Sequence, residues 1–244
     1  MVVARGKGHV TEATVAVLGR PRLHLRTTTS TNDRARELAM GGAPHGTLVT
    51  ACEQTAGRGR HGRTWSAPPA SALLMSLVLR DPPELLSLTA ALAVCDTIDG
   101  AVIKWPNDIL LAGTLAKLGG ILVEARPQER WAVLGIGLNV AVAVEELPAE
   151  LRTRAASLEL GAEQIEPIMG RVLAALSRRL DQSPETVLDA WRAKDALLGR
   201  AISWDGGEGV AEGIDGQGCL LARWSDGTVL ALNAGEVHLS SSGV

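Results

Sequence analysis

Apolar and polar positions recur along the chain at two spacings, one typical of strands and one typical of helices. The strand-like runs are rich in β-branched and apolar residues and are bounded by glycine, proline and polar residues. Ala112-Gly113-Thr114, between two such runs, predicts a hairpin turn. Six strands are predicted, at residues 47–53, 72–80, 101–105, 108–112, 119–125 and 131–140.

Helical signals lie between these strands and after them. Ser30 and Thr31 supply an N-cap, and a glycine pair at 41–42 ends the pattern that follows. Ser183-Pro184 is a similar start signal, a capping hydroxyl followed by a first-turn proline. Four helices are predicted: from Asp33 to Met40, at residues 84–97, after Pro167 with Ile168, Val172, Leu176 and Leu180 at helical spacing, and from Ser183-Pro184 to near Leu198.

The pattern changes at Gly199, where helical spacing disappears. Short apolar runs then alternate with glycine-rich turns, which predicts a small β-barrel domain at 199–244. Residues 1–198 predict a mixed α+β domain with helices flanking a β-sheet. The chain of 244 residues is long enough for one large and one small domain.

Composition narrows the classes of function. The hydrophobic fraction of 46% and charged fraction of 21% are typical of a soluble globular protein. The net charge of −3 gives no overall attraction to polyanions, so nucleic acid is not the expected partner. The chain contains no Phe and no Tyr, so its core volume must come from aliphatic residues and six Trp.

The cysteines and the N-terminal segment indicate the compartment. Cys52, Cys95 and Cys219 share no metal-like or redox spacing and predict buried free thiols in a reducing compartment. Residues 1–25 are interrupted by glycine, arginine and proline, and no later run reaches membrane-spanning length. We therefore expect a cytoplasmic protein.

The segment from Gly57 to Trp65 alternates glycines with cations. Glycines allow the backbone to approach a ligand closely, and the guanidinium groups of Arg58, Arg60 and Arg63 match carboxylate and phosphate oxygens. The segment therefore predicts a loop for an anionic ligand. A solvated basic loop and a loop that binds nucleic-acid phosphates are the alternatives.

Three further segments combine polar side chains with stiff backbone. Lys104-Trp105-Pro106-Asn107-Asp108 holds a cation, an amide and a carboxylate beside a proline, with a capped bend around a buried Trp105 as the alternative. Lys117 precedes two glycines at the start of an apolar strand, where it either reaches a site or is simply exposed. Gly135 and Gly137 alternate before Asn139, which suggests that another backbone lies against that strand.

Taken together, these motifs resemble the biotin protein ligases in order and spacing. The resemblance rests on Ser30-Thr31-Asn32, the Gly57–Trp65 loop, Lys104–Asp108, Lys117–Glu124 and Gly137–Asn139. It implies a class II synthetase-like catalytic domain with a C-terminal SH3-like barrel. It also implies that biotin and ATP, with Mg²⁺, form biotinyl-adenylate and that biotin then passes to a lysine of a biotin carboxyl carrier domain.

The resemblance also implies roles for individual residues. It implies that biotin is bound by Ser30, Thr31, Asn32, Gln54, Gly57, Arg58, Arg60, Lys117 and Gly120. It implies that ATP or the adenylate is bound by Arg58, Arg60, Arg63, Trp65, Lys104, Asn107, Lys117 and Asn139. It assigns catalysis to Lys117, Arg60 and Asp108, with no metal ligand from the protein itself.

Adenylation brings two anions together, so the loop arginines and Lys117 are suited to neutralise the developing charge. We expect the loop to close over the adenylate and exclude water. His61, where many relatives have arginine, and a hairpin at 112–116 about two residues longer than the commonest family pattern are departures from it.

Expected partners follow from the same resemblance. They are the carrier domain of an acyl-CoA carboxylase, with no specific nucleic acid and no membrane, and the protein is expected to be a monomer or weak homodimer. The segment before Thr27 is too short for the N-terminal DNA-binding module of larger relatives. The rival functions are a lipoate protein ligase, a biotin-sequestering protein and an RNA-binding module.

Overall fold

A computed structural model describes residues 17–240. A seven-stranded mixed sheet forms the larger part of the protein, with the strand order β1-β2-β3-β7-β6-β5-β4. Only the β1·β2 pair is parallel among these strands. The strands are β1 (Arg22–Thr28), β2 (Leu48–Gln54), β3 (Ala72–Arg80), β4 (Ala101–Lys104), β5 (Asp108–Leu111), β6 (Lys117–Arg126) and β7 (Trp131–Asn139).

Helices cover both faces of this sheet. Residues of β3 alternate between the faces, so that Leu77 and Leu79 join the main core while Val78 packs in a separate cluster with α1. Helix α2 is buried on all sides between the sheet and two other helices, which explains why its sequence is apolar without a polar stripe. The helices are α1 (Thr31–Met40), α2 (Leu86–Cys95), α3 (Ala149–Arg152), α4 (Ile165–Leu180) and α5 (Pro184–Arg192).

The predicted strands and helices of residues 17–198 are mostly confirmed, with differences at β1, α3 and the end of α5, whereas the β-barrel predicted at 199–244 is not confirmed, because the sheet that the described residues form there is not closed. Strand β1 was not predicted; Leu23 and Leu25 alternate with polar residues in a short run, and its pairing with β2 fixes it at the sheet edge. Helix α5 ends at Arg192 and not near Leu198. The chain after it pairs with the edge strand instead, because Ile103 N donates to Lys194 O and Ala196 N to Ile103 O.

The thiols also differ from the prediction. All three cysteines are free, but only Cys95 is buried, whereas Cys52 and Cys219 are partly exposed. Burial raises the pKa of the Cys95 thiol to about 12, so this side chain behaves as an apolar core group. The core itself is aliphatic, as the composition predicts, with Trp191 the one aromatic side chain among its twelve largest fully buried groups.

The C-terminal residues form a second, five-stranded antiparallel sheet. Its order is β11-β10-β9-β8-β12, so β11 and β12 are its edges. The turn before β10 docks on the larger domain, where Trp105 Nε1 donates to Gly218 O at 3.0 Å. Its strands are β8 (Ala201–Trp204), β9 (Gly207–Ile214), β10 (Leu220–Arg223), β11 (Val229–Leu232) and β12 (Val237–Leu239).

No helix between residues 17 and 240 combines the length and the apolar character needed to cross a bilayer. The N-terminal segment at 1–25, from which we expected no signal peptide, lies mostly outside the described residues.

The edge strand β1 is tied to α4 by one ion pair, which gives a testable pH dependence. Arg22 donates both Nη groups to Glu166, at 2.7 and 2.6 Å, and this bond holds the pKa of Glu166 below its ordinary value. A carboxyl with a lowered folded pKa stabilises the protein above its unfolded pKa and loses that contribution as the pH falls. Because Glu166 is 59% exposed, we expect less than about 1 kcal/mol.

Glu166→Gln should therefore lower the free energy of unfolding slightly at pH 7, and the difference from wild type should shrink as the pH falls below about 4 and vanish once Glu166 is protonated in the folded protein. Urea unfolding at pH 7, 4 and 3 measures this. Exposed Glu84 provides a control, Glu84→Gln, with no such dependence. A difference of equal size at pH 3 and pH 7 would contradict the assignment to ionised Glu166.

Candidate active site

A cleft of about 910 Å³ crosses the seven-stranded sheet and reaches the C-terminal sheet. It is bounded by the start of α1, the end of β2, the β4–β5 turn, and strands β6 and β7. The segment from Gly57 to Trp65, named here the arginine loop, covers one side. Of the residues expected to bind biotin or nucleotide, all but Gly57 line this cleft.

The arginine loop is a narrow hairpin. Gly59 N donates to Arg63 O at 2.7 Å, and Trp65 N donates to Gly57 O at 2.9 Å. At the loop base, a Cβ on Gly57 would lie 2.9 Å from Gln54 Nε2 and would overlap the carbonyl of Trp65. Glycine is therefore required where the two arms of the loop meet.

The three loop arginines reach different partners. Arg58 lines the cleft and pairs with Asp33 at 2.7 Å. Arg60 points inward and donates to Asn107 Oδ1 at 3.3 Å. Burial lowers the pKa of Arg60 from its ordinary value, and the nearby carboxylate of Asp108 partly opposes this effect. The guanidinium group of Arg60 is therefore only weakly hydrated. Arg63 pairs with Glu236, the residue before β12.

A second cationic group lies opposite the loop. Lys117 Nζ is 2.6 Å from Asp108 Oδ1, and Lys104 Nζ is 3.6 Å from Asp108 Oδ2. Asn107 Nδ2 donates to Ile121 O at 2.7 Å and fixes the turn that carries Asp108. The segments 104–108 and 117–121 are therefore one constellation, with two cations sharing one carboxylate.

At the other end of the cleft, the start of α1 presents buried polar groups. Ser30, Thr31 and Asn32 are almost fully buried. Thr31 N donates to Gln54 Oε1 at 2.7 Å, and Thr31 Oγ1 lies 3.0 Å from the same oxygen. Ser30 stands at the N-cap, as predicted, but its side chain makes no capping bond. This hydroxyl and Gln54 Nε2 are suited to a small polar ligand head group.

Ser76 belongs to this polar end and was missed from the sequence. Its hydroxyl contacts Thr31 Oγ1 at 2.8 Å and Asn32 Oδ1 at 2.6 Å, and the residue is fully buried. A lone hydroxyl at the centre of an apolar strand was the available signal. Such a group is seldom buried without a polar partner, so its partner had to lie on a packed neighbour.

Trp65 lies against the opposite strand at Gly137. A Cβ on Gly137 would lie 2.7 Å from the indole ring, and a Cβ on Gly135 would overlap the amide of Asn32. The expectation that a backbone lies against this strand is therefore wrong, since two side chains occupy the space. Trp65 Nε1 is buried and has no hydrogen-bond partner among residues 17–240, so a ligand acceptor fits there.

The two glycines after Lys117 differ in role. A Cβ on Gly119 would clash with Gly137 O and Leu138, so close strand packing requires this glycine. A Cβ on Gly120 would lie 3.6 Å from Lys117 Nζ. Gly120 therefore leaves room beside the amine, inside the cleft.

Two walls of the cleft come from segments with no predicted site residue. Residues 147–155 form one wall, and Asn139 holds the end of this segment by donating Nδ2 to Ala156 O at 2.8 Å. Residues 235–240 of the C-terminal sheet form the other. Neither segment carries a glycine-and-cation motif, so nothing in its local pattern predicted a site. Within the described part of the chain, no three metal-ligating side chains cluster together.

Comparisons with known proteins agree with this arrangement. The model of the biotin/lipoate A/B protein ligase family matches residues 24–140. The chain is 36% identical to the biotin acetyl-CoA-carboxylase ligase of Mycobacterium tuberculosis, covering 87% of this chain and 86% of the relative. It is also 36% identical to the bifunctional ligase/repressor BirA of Bacillus spizizenii, over 86% of this chain and 72% of that protein.

A solved structure shares the fold. The biotin protein ligase of Aquifex aeolicus, in complex with biotin and ATP, has a TM-score of 0.75 and 24% identity, and the match covers 91% of this chain and 100% of that one. The chain therefore belongs to the biotin/lipoate protein ligase family, in its biotin ligase branch.

Proposed function

We propose that this protein is an ATP-dependent biotin ligase that forms biotinyl-adenylate and transfers biotin to a lysine of a biotin carboxyl carrier domain. One observation carries the assignment. A single cleft joins the buried polar groups of Thr31 and Gln54 to an indole surface at Trp65, with Arg60 and Lys117 beside them. Such a site fits a ligand with a polar head, an apolar body and an anionic reacting end.

In the first reaction, the carboxylate of biotin attacks the α-phosphorus of ATP and pyrophosphate leaves. Both reactants are anionic, so catalysis depends on positioning and on cations placed where charge develops. Arg60 and Lys117 supply these cations in the proposal. Lys117 must then exchange its contact with Asp108 for the phosphate oxygens.

We place the head group of biotin at Ser30, Thr31 and Gln54, and adenine against Trp65. Asn139 acts indirectly in this proposal, since its amide holds the wall at residues 147–155. Mg²⁺ is proposed to enter with the nucleotide, where it would neutralise phosphate charge. No direct protein ligand is assigned to it.

In the second reaction, the lysine amine of the carrier attacks the acyl carbon, and AMP leaves. The amine must be neutral to attack and loses a proton afterwards. Asp108 is suited to orient the amine once Lys117 has turned to the phosphate. We infer that the arginine loop limits the access of water to the anhydride meanwhile.

We further propose a division at residue 198 between a catalytic domain and a C-terminal domain of the SH3-like type. The contact of Arg63 with Glu236 supports a role of the C-terminal domain at the nucleotide end. The proposed partner is a carboxylase carrier domain in the cytoplasm, bound by a monomer or weak homodimer.

The test is incubation of the protein with biotin, Mg²⁺, ATP and a biotin carboxyl carrier domain, followed by intact mass measurement of the carrier. The expected result is one added biotinyl group that requires ATP and the acceptor lysine. A parallel reaction with lipoic acid separates the two branches of the family. Lipoylation without biotinylation would overturn the proposal.

A further inference from the structure

We propose that Glu124 is a positioning residue that fastens the base of the arginine loop to the buried polar groups at the start of α1. The inference deepens the proposed function, on which its catalytic consequence rests. Glu124 lies on β6 at the end of the motif that begins with Lys117, and it is not among the residues that line the cleft. Its effect on the reaction would therefore act through Arg58 and Asn32.

The exposed part of this arrangement is a cluster of ion pairs. Arg58 Nη1 lies 2.7 Å from Asp33 Oδ1, and Arg58 Nη2 lies 3.2 Å from Glu124 Oε1. Arg36 bridges the same two acids, at 2.8 and 3.7 Å. Two guanidinium groups and two carboxylates thus alternate in one network, which restrains a side chain more than an isolated surface pair does.

The buried part is a chain of hydrogen bonds in the protein interior. Asn32 Nδ2 donates to Glu124 Oε2 at 2.8 Å. Asn32 Oδ1 accepts from Ser76 at 2.6 Å, and Ser76 also contacts Thr31 Oγ1. Thr31 bonds Gln54 Oε1 through its backbone N at 2.7 Å, which leaves the Thr31 hydroxyl hydrogen for Ser76, and Gln54 Nε2 lies beside Gly57 at the loop base. The chain therefore connects Glu124 to the first arm of the loop, at Gly57, through the start of α1.

The strands hold this chain in place. Glu124 pairs with Val133 within the β6·β7 ladder, which restrains its backbone. The amide of Asn32 fills the space that a Cβ on Gly135 would occupy. Asn32 consequently has a fixed amide orientation, and both carboxylate oxygens of Glu124 have committed donors.

This geometry gives Arg58 a role different from the phosphate contact expected from the sequence. Arg58 lines the cleft, but both of its Nη groups are engaged by acids, whereas Arg60 donates to the neutral amide of Asn107. Loss of Glu124 would release one arm of the hairpin while Arg63 still held the tip through Glu236. The loop would then open more often, and the adenylate would escape or hydrolyse more readily.

Glu124→Gln tests the inference because it keeps the shape and removes the charge. The new NH₂ group must face a donor of either Arg58 or Asn32, so one of the two bonds is lost. We expect the amides of Gly59 and Trp65 to exchange hydrogen about fivefold faster in the protein without ligands. Glu37→Gln is the matched control, since Glu37 pairs with Arg34 on the outer part of the same helix.

Arg58→Gln is a second test, because it removes the same ion pair from the side of the arginine. The same fivefold change is expected there, and the double variant should add little to either single one, since each removes the same fastening. Unchanged exchange at Gly59 and Trp65 in Glu124→Gln or Arg58→Gln would overturn the inference. An equal change in the Glu37→Gln control would also overturn it.

The expected effect of Glu124 on the reaction is measured as the amount of biotinyl-adenylate that escapes from the protein. Glu124→Gln should release about fivefold more free biotinyl-adenylate per carrier modified than wild type, while its initial rate of pyrophosphate formation changes less. An unaltered ratio of released adenylate to modified carrier would remove the catalytic part. If wild-type protein makes no adenylate at all, the proposed function fails, and the exchange experiment still decides the role of Glu124.

Discussion

Lys117→Ala should slow the release of pyrophosphate about a hundredfold. Lys117 supplies positive charge where two anions meet, and deletion of one such preorganised donor typically costs about 3 kcal/mol of transition-state stabilisation. The structure adds a second reason: removal of the Lys117 amine takes away the closer of the two lysines that pair with Asp108 and leaves Lys104, at 3.6 Å. Pre-steady-state measurement of pyrophosphate with saturating biotin and ATP gives the rate of the chemical step.

Two further variants distinguish charge from structure. Lys117→Arg keeps the positive charge and should recover part of the lost rate, whereas Lys117→Gln should not. Lys194→Ala, which changes a lysine outside the cleft, should release pyrophosphate at the wild-type rate. A normal rate in Lys117→Ala would remove this residue from the mechanism.

Gly137→Ala should raise the KM for ATP about tenfold, with a smaller effect on the KM for biotin. The added methyl group would lie 2.7 Å from the indole of Trp65, so the ring must leave its place. Stacking of a base on an aromatic side chain is worth about 1–3 kcal/mol, and a loss of 1.4 kcal/mol corresponds to about tenfold in affinity. Steady-state kinetics at varied ATP and at varied biotin separate the two effects.

The control for this variant is Gly113→Ala. Gly113 lies in the β5–β6 hairpin, where a Cβ meets no atom within 4 Å. Gly113→Ala should leave the KM for ATP and the KM for biotin near those of wild type. A Gly137→Ala protein with an unchanged KM for ATP would show that the position of Trp65 does not matter for the nucleotide.

Much of the fold was predictable because it depends on local periodicity. The strand predicted at 72–80 is β3 with the same ends, since nine residues of mostly apolar sequence are buried on both faces. Helix α5 shows what local periodicity does not predict. Its start was signalled by Ser183, whose hydroxyl accepts from Thr186 N, but its end was set by the pairing of Lys194 and Ala196 with Ile103.

The candidate site likewise has features that the sequence predicted and features that depend on tertiary packing. Glycines and cations placed closely along the chain predicted the arginine loop and the segment from Lys104 to Asp108, and these do line one cleft. The partners of the individual arginines were not predictable. Arg58 joins Asp33 and Glu124, which the sequence places on separate elements, and Ser76 joins the site only because α1 packs over β3.

The sequence by itself therefore determined the class of elements, the location of the ligand-binding motifs and the resemblance to biotin ligases. Each of these depends on residues near one another in the chain. Only the tertiary structure decided that Arg63 meets Glu236, 173 residues away, and that side chains of Asn32 and Trp65 fill the space beside Gly135 and Gly137. The physical reason is that such contacts depend on how helices and strands pack, and local hydrophobic periodicity does not specify that packing.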